Sequence, residues 1–555
     1  MRRFCLASAL ALAAVTSFAQ DIDSMIRNMT RREKIAQIVI VAIDSAEDSL
    51  ARAGHLRLAS EGLGGLIVMD DNLVDNMQLV NDLQKEAKIP MVVTIDGEWG
   101  ASMRYREYAA FPRAMQLGAM TDEEYIYDIG EAIGQELKEL KIFVNFAPVV
   151  DVNNNPANPV INTRSFGEDR EKVARYGALY MKGMKDAGVA GSAKHFPGHG
   201  DTDVDSHKGL PVLTFDRARL DSLELYPFRR QIAEGVDMVM VGHLSVPALD
   251  PTGTPASISK PIVTDLLRKE MGFDGIIITD ALQMKGVATD YADASLAAYR
   301  AGADILLMPL DAEATIRDLD AAFERGELAE TELDARVRRM LALKARCGML
   351  SPGYSPMVDT ATLARAAHRP MTNFLIQTVC DRSMTFIHGR KFTPFRFHGN
   401  VAYVAFNAAT PESAEFHHEL SRYGKVPRFD LPYDASQAQI DSVGRLVKRY
   451  RKVIVGIHSG QPVPSSGGPK RFAKITQEQL SAIGAWSEKH LLIGCYMGNP
   501  YDLNRLPAES LFDVFIIGYS DNAFNNRAAA RAIAVGGTEG VLPVGAGGYP
   551  CGYRD

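Results

Sequence analysis

The feature that most constrains this chain is a series of short apolar runs, each separated from the next by room for a helix. They fall at residues 37–42, 65–69, 91–95, 142–150, 189–193, 238–241, 275–279 and 304–308. Continuous apolarity, rather than alternation, marks strands buried on both faces, as in parallel sheets covered by helices. Helical patterns fill the intervals, notably 122–139, 170–187 and 262–270, and the first helix opens on a capping box, Thr30-Arg31-Arg32-Glu33. A (β/α)8, TIM-like barrel over residues 20–350 is the simplest closure, with a doubly wound open sheet as the alternative. The residues at the carboxyl ends of the runs favour the barrel. Asp96, Asp151 with Arg164, Lys194-His195, His243, Asp280 and Pro309 come after successive strands. A barrel gathers such residues at one face, whereas an open sheet concentrates them at one crevice.

Residues 351–369 contain prolines and little strand pattern, and read as a linker. Beyond it, apolar runs at 401–406, 452–457, 491–496 and 514–519 alternate with helical patterns at 435–450, 476–489 and 522–535. The segment 370–555 therefore reads as a second, smaller α/β domain built on an open sheet.

The first nineteen residues belong to neither domain. Arg2 and Arg3 precede an apolar stretch from Phe4 to Val15, and Ser17-Phe18-Ala19 is a small-x-small cleavage pattern. This is the composition of an export signal, so a periplasmic or secreted protein is expected. Its removal takes two of 61 basic residues and none of the 68 acidic ones, leaving 59 − 68 = −9. That charge gives no basic footprint for nucleic acid, and no later run is long enough for a membrane span. Cys347, Cys380, Cys495 and Cys551 are too few for a disulfide framework and are expected as buried free thiols. Nothing in the sequence fixes an oligomeric state.

The chemistry concentrates in Lys194-His195-Phe196-Pro197-Gly198-His199-Gly200-Asp201-Thr202-Asp203-Val204-Asp205-Ser206-His207. Within this Gly/Pro-broken stretch, Asp205 lies two residues from His207. A carboxylate so placed can hold one ring nitrogen and leave the other to move a proton. With no cysteine nearby and no HExxH helix, no metal is expected. The absence of a Gly-rich nucleotide loop points to no cofactor.

This stretch resembles the K-H-F-P-G-H-G-x-T-x-x-D-S-H signature of glycoside hydrolase family 3 β-N-acetylglucosaminidases, with every fixed position occupied. The resemblance implies a proton shuttle at His207 with Asp205 as its partner. Gly272-Phe273-Asp274-Gly275-Ile276-Ile277-Ile278-Thr279-Asp280 resembles the family's nucleophile segment and implies that Asp280 attacks the sugar. Asp96-Gly97-Glu98-Trp99-Gly100 is similar to its D-x-E-G-G, with Trp99 in place of a glycine. Arg164-Ser165-Phe166-Gly167 matches its R-S-F-G. Asp96, Arg104, Arg164, Lys194 and His195 are thereby implied as sugar-binding residues. His243 and Asp151 are left equally open to a supporting role. The closing segment 536–544 matches the family's second-domain ending only loosely.

Together these imply a retaining exo-β-N-acetylglucosaminidase, a β-N-acetylhexosaminidase. Its expected substrates are peptidoglycan- or chitin-type oligosaccharides, cleaved from the non-reducing end through a glycosyl-enzyme intermediate. The alternatives are another family 3 β-glycosidase, such as a β-glucosidase, or a GlcNAc phosphorylase. A non-catalytic carbohydrate-binding protein would be expected to lack Asp280 or His207.

Overall fold

The computed structural model describes residues 21–555 except 289–292, 364–366, 368, 393, 395–396, 398–399 and 460–474. The segment read as an export signal lies outside the described residues. Each apolar run forms a strand: β1 Val39–Ile43, β2 Gly65–Val68, β3 Val92–Ile95, β4 Ile142–Asn145, β5 Ala190–Phe196, β6 Met238–Val241, β7 Ile276–Thr279 and β8 Leu306–Leu307. All are parallel, and they pair consecutively in the order β8-β1-β2-β3-β4-β5-β6-β7. A parallel bridge between Ile278 and Ile305 brings the two ends together, with the Thr279 N–H on the Ile305 carbonyl at 3.2 Å. Consecutive order leaves no point where the winding reverses. The architecture is the barrel and not the doubly wound sheet.

The strands are continuously apolar because they have no solvent face: every residue of β2, β3, β4, β6 and β7 is buried. Two boundaries differ clearly from expectation: β4 stops at Asn145 instead of running to Val150, and β5 is longer than its run. β5 runs on to Phe196, so Lys194 and His195 lie on the strand rather than in the loop after it. The reciprocal capping box of the first helix is present, with the Glu33 N–H on Thr30 Oγ1 at 3.2 Å and the Thr30 N–H on Glu33 Oε2 at 2.9 Å. Ahead of β8, Asp304 accepts from Arg268, from Arg339 at 2.9 Å and from the Ile277 N–H at 2.8 Å. That carboxylate ties β7 to two helices.

The chain packs as two compact units. One comprises the described residues up to Ala110 together with Gly130–Val150 and Gly177–His368; the other comprises Phe111–Ile129, Asp151–Tyr176 and Arg369–Asp555. Two segments read as barrel connections thus belong to the second unit. Most of the stretch read as a linker belongs to the first. There Asn81 pins Val358 by both backbone groups, at 2.8 and 2.9 Å.

The second unit's sheet contains β9 Thr385–His388, β10 Val401–Phe406, β11 Arg428–Leu431, β12 Lys452–Ile457, β13 Leu491–Tyr496 and β14 Val514–Ile517. Their order is β11-β10-β12-β13-β14-β9, parallel except for β9. This is the expected open α/β sheet, with two edge strands that the apolar pattern did not mark. Cys347, Cys380, Cys495 and Cys551 are free thiols; Cys380 and Cys495 are buried, whereas Cys347 and Cys551 are partly exposed, against the expectation of four buried thiols.

Lys344 is fully buried, with Nζ on Gln37 Oε1 at 2.9 Å. Burial pushes its ammonium down to about 7. Between pH 7 and the ordinary lysine value of about 10.4, the unfolded chain holds this proton and the folded chain does not, so raising the pH favours folding. Below pH 7 both states hold it and the slope vanishes. Replacing Lys344 by Met should remove this contribution. The gap in unfolding free energy between the two proteins should then change by about 1.4 kcal/mol per pH unit above neutrality. Denaturant titrations at pH 7.0 and about 8.3 read it directly, and parallel pH profiles would contradict the assignment.

Candidate active site

The barrel site begins with a backbone clamp. Asn145, buried at the end of β4, accepts from the Gly97 N–H at 2.9 Å and donates to the Gly97 carbonyl at 3.0 Å. This holds the turn after β3 and presents Asp96 and Glu98 to β5. Lys194, only 2% exposed, sits between them with Nζ 2.8 Å from Asp96 Oδ1 and 2.9 Å from Glu98 Oε1. Arg104 reaches Asp96 Oδ2 at 3.3 Å. Burial pushes the Asp96 carboxyl upward, but Lys194 and Arg104 outweigh it and hold it below the usual carboxylate range. Two carboxylates and two cations therefore form a balanced cluster, the arrangement in which buried charge is tolerated. Asp96 can still accept hydroxyl donors through its remaining lone pairs.

After β5 the chain turns beneath itself. The His195 and His199 rings meet edge to face at 5.9 Å, and His199 Nδ1 lies 2.6 Å from Thr202 Oγ1. Arg219 pairs with Asp201 at 3.1 Å and with buried Glu224 at 3.0 Å. The base of the loop is thus fixed while its tip reaches solvent. At that tip Asp205 Oδ1 accepts from the His207 N–H at 3.0 Å and lies 2.9 Å from His207 Nδ1. A carboxylate can only accept, so Nδ1 carries the proton and Nε2 remains for chemistry. Burial pushes the Asp205 carboxyl up, yet the backbone and ring of His207 outweigh it and keep it ionised. The His207 side chain is 62% exposed.

Asp280 stands at the end of β7. Its N–H donates to the Val241 carbonyl at 2.9 Å, and its Oδ1 accepts from the Ala281 N–H at 2.8 Å. Burial pushes its carboxyl up, but the imidazoles of His243 and His195, the Ala281 N–H and His207 together hold it down at about 2. A carboxylate this acidic is ionised throughout the neutral range. His243 is fully buried, with Nε2 2.9 Å from the Ala281 carbonyl and Nδ1 2.7 Å from Ser257 Oγ. The carbonyl needs a donor, so Nε2 carries a proton, while Nδ1 shares a hydrogen bond with the Ser257 hydroxyl. Burial lowers the basicity of His243 despite the nearby Asp280 charge.

The structure therefore brings Asp96, Arg104, Lys194, His195, Asp205, His207 and Asp280 into the barrel unit, at or beyond the carboxyl ends of β3, β5 and β7. Arg164 is placed differently. It ends a short 3-10 turn, Asn162–Arg164, in the second unit, with Nη1 3.4 Å from the Val160 carbonyl. Its loop is held within that unit: Tyr501 Oη donates to the Asn153 carbonyl at 2.7 Å, the Glu168 N–H donates to Pro543 O at 3.1 Å, and Asn499 bonds to Asn162. Ser165 Oγ donates to the Asp151 carbonyl at 2.6 Å, so Asp151 supports this loop through its backbone. Among the described residues no group of three or more His, Cys, Asp or Glu side chains could hold a metal ion. Asn145 and Glu98 received no role from the sequence. Asn145 had a signal, being the polar residue that interrupts an apolar strand at its carboxyl end.

Residues 30–343 match the model of the glycosyl hydrolase family 3 N terminal domain. The chain belongs to this family. It is 37% identical over 342 residues to the β-hexosaminidase A of Pseudoalteromonas piscicida, covering 55% of this chain and 57% of that one. It is 30% identical over 341 residues to a Cellulomonas fimi β-N-acetylglucosaminidase/β-glucosidase, covering 59% of this chain and 60% of that one. The matches thus span under two thirds of these two relatives. A solved structure, a family 3 β-N-acetylglucosaminidase from a Paenibacillus species, superposes with a TM-score of 0.73 at 30% identity, covering 93% of this chain and 98% of that one.

The buried charge cluster yields a stability prediction that needs no substrate. Replacing Lys194 by Met leaves Asp96 and Glu98 facing each other, which should cost about 3–5 kcal/mol of unfolding free energy at pH 7. Part of the loss should return as the pH is lowered and one carboxylate takes up a proton. Denaturant unfolding at pH 7 and pH 5 measures both, and a loss below about 1 kcal/mol would mean the cluster is screened like a surface pair.

Proposed function

We propose that this protein is a retaining exo-β-N-acetylglucosaminidase that removes terminal non-reducing GlcNAc from peptidoglycan- or chitin-type oligosaccharides. The observation that carries the reading is the 2.9 Å contact of Asp205 with His207 Nδ1, on a barrel that also holds an ionised carboxylate at Asp280. Retention needs a nucleophilic carboxylate and a proton donor for the leaving oxygen. In the proposed sequence Asp280 attacks the anomeric carbon while protonated His207 gives its Nε2 proton to the departing oxygen. The neutral imidazole then takes a proton from water, whose oxygen displaces Asp280 and releases the sugar. Asp205 stabilises the imidazolium and fixes the tautomer throughout. An imidazole titrates near neutrality and suits both roles without a strongly shifted carboxyl.

Asp96, Arg104, Lys194 and His195 are proposed to bind the ring hydroxyls, and the family's R-S-F-G pattern supports the same role for Arg164. The names of the relatives support GlcNAc as the sugar, and the Cellulomonas protein's second activity makes aryl β-glucoside the necessary comparison. The pattern of Arg2, Arg3 and the apolar run after them supports export, where wall and chitin fragments occur.

Aryl β-GlcNAc should be cleaved at least about ten-fold better than aryl β-glucoside, since about 1.4 kcal/mol of lost transition-state contact suffices. Free GlcNAc should be the product whether or not inorganic phosphate is present. Asp280→Asn should lose several orders of magnitude in kcat while staying folded. His207→Ala should slow substrates with poor leaving groups far more than activated aryl glycosides, which need no proton. Preference for the glucoside, or formation of GlcNAc 1-phosphate, would replace this reading with one of its alternatives.

A further inference from the structure

The acid/base loop poses a physical problem. His207 is largely exposed at the tip of a turn, yet its Nε2 must approach within hydrogen-bonding distance of one glycosidic oxygen. The turn is closed internally, with the Asp205 carbonyl accepting from the Lys208 N–H at 2.8 Å and the Gly209 N–H at 3.1 Å. Between the two members of the dyad lies Ser206, which is only 2% exposed. The dyad therefore projects from a buried pivot.

The pivot rests on Gly286, in the short helix Lys285–Ala288 beyond the Asp280 strand. A Cβ at Gly286 would stand 3.1 Å from the Ser206 carbonyl oxygen, 3.1 Å from His243 Cβ and 3.3 Å from the Gly209 carbonyl oxygen. The space that a side chain would take at Gly286 is thus closed by the dyad turn on one side and by His243 on the other. His243 cannot yield easily, because it is fully buried and both ring nitrogens are hydrogen-bonded. It also holds the carbonyl of Ala281, whose N–H serves Asp280 Oδ1. One contact chain therefore runs from the Asp280 carboxylate through Ala281, His243 and Gly286 to Ser206 and the dyad.

We propose that Gly286 is the positioning residue of the acid/base loop: its missing side chain is the seat that sets how far His207 stands from Asp280. The proposal rests on the catalytic roles proposed for His207 and Asp280. Contacts of 3.1 Å are tighter than ordinary van der Waals packing, so an added methyl group must displace one neighbour by a few tenths of an ångström. The turn, whose tip reaches solvent at His207, yields before the histidine that is hydrogen-bonded through both ring nitrogens. The methyl group should therefore move the proton donor and leave the nucleophile in place.

The test is Gly286→Ala in the full-length protein, assayed on a series of aryl β-GlcNAc substrates whose leaving groups differ in acidity. On a dinitrophenyl leaving group, which needs no proton, kcat/KM should fall less than about two-fold. On a phenyl or sugar leaving group it should fall about ten-fold or more, a fraction of what a positioned acid contributes. The thermal midpoint should stay close to that of the parent. Hydrogen exchange of the Asp205–Gly209 amides should quicken, which reads the loop without any turnover. Equal losses on all leaving groups, or no loss on any, would overturn the proposal. A variant that fails to fold would overturn it too, because the His243 side would then be what has to move. Failure of the functional reading looks different. His207→Ala would then show the same dependence on leaving-group acidity as the parent, whatever Gly286→Ala does to the exchange of the turn.

Discussion

Lys194 is buried at the end of a barrel strand with an ammonium that touches two carboxylates, and the rest of the barrel site depends on that contact. Asp96 and Glu98 set opposite charge on both sides of this deep lysine, and Lys194 together with Arg104 holds the Asp96 carboxyl below its usual range. The geometry of the cluster is set by backbone rather than by charge. Asn145 grips both polar groups of Gly97, so the Asp96–Glu98 turn cannot rotate away from β5. Fixed strand ends convert mutual attraction into a preorganised set of donors and acceptors, which is the condition for selective binding of a polyhydroxylated ligand.

The two groups assigned to bond cleavage are held in opposite ways. Asp280 is set by main-chain bonds at the end of β7, and its charge is favoured by the histidines around it. His207 is exposed and reaches its position through a turn whose root is fixed by Arg219 and whose pivot is the buried Ser206. A carboxylate that must meet one carbon atom gains from rigidity. A proton shuttle that must first serve a departing oxygen and then an incoming water gains from access to solvent.

Much of this was legible in the sequence because a barrel strand advertises itself twice, by unbroken apolarity and by the polar residue that ends it. Asp96, Lys194 and Asp280 all carried that mark. The Asp205-Ser206-His207 pair was legible because its contact is local, spanning two residues. Long-range contacts left no such trace. Nothing near Gly286 in the sequence announces that Ser206, eighty positions before it in the chain, packs against it, and Asn145 meets Gly97 only once β3 and β4 are adjacent. In the second unit β11 escaped because Arg-Phe-Asp-Leu at a sheet edge alternates polar with apolar, and β9 because only Phe386 and Ile387 of its four residues are apolar. The assignment of Phe111–Ile129 and Asp151–Tyr176, with Arg164, to the second unit likewise depends on packing between segments hundreds of residues apart.

The proposed mechanism stands or falls on Asp280, rather than the substrate's own acetamido group, making the bond to the sugar. Its most direct test is to inactivate the protein with a 5-fluoro-N-acetylglucosaminyl fluoride, digest it and map the modified peptide by mass spectrometry. Attack by Asp280 predicts one added sugar per chain, carried on that residue in the peptide around Thr279-Asp280-Ala281. A label on any other residue, or turnover of the reagent with no covalent adduct together with tight inhibition by an oxazoline-like analogue, would contradict it.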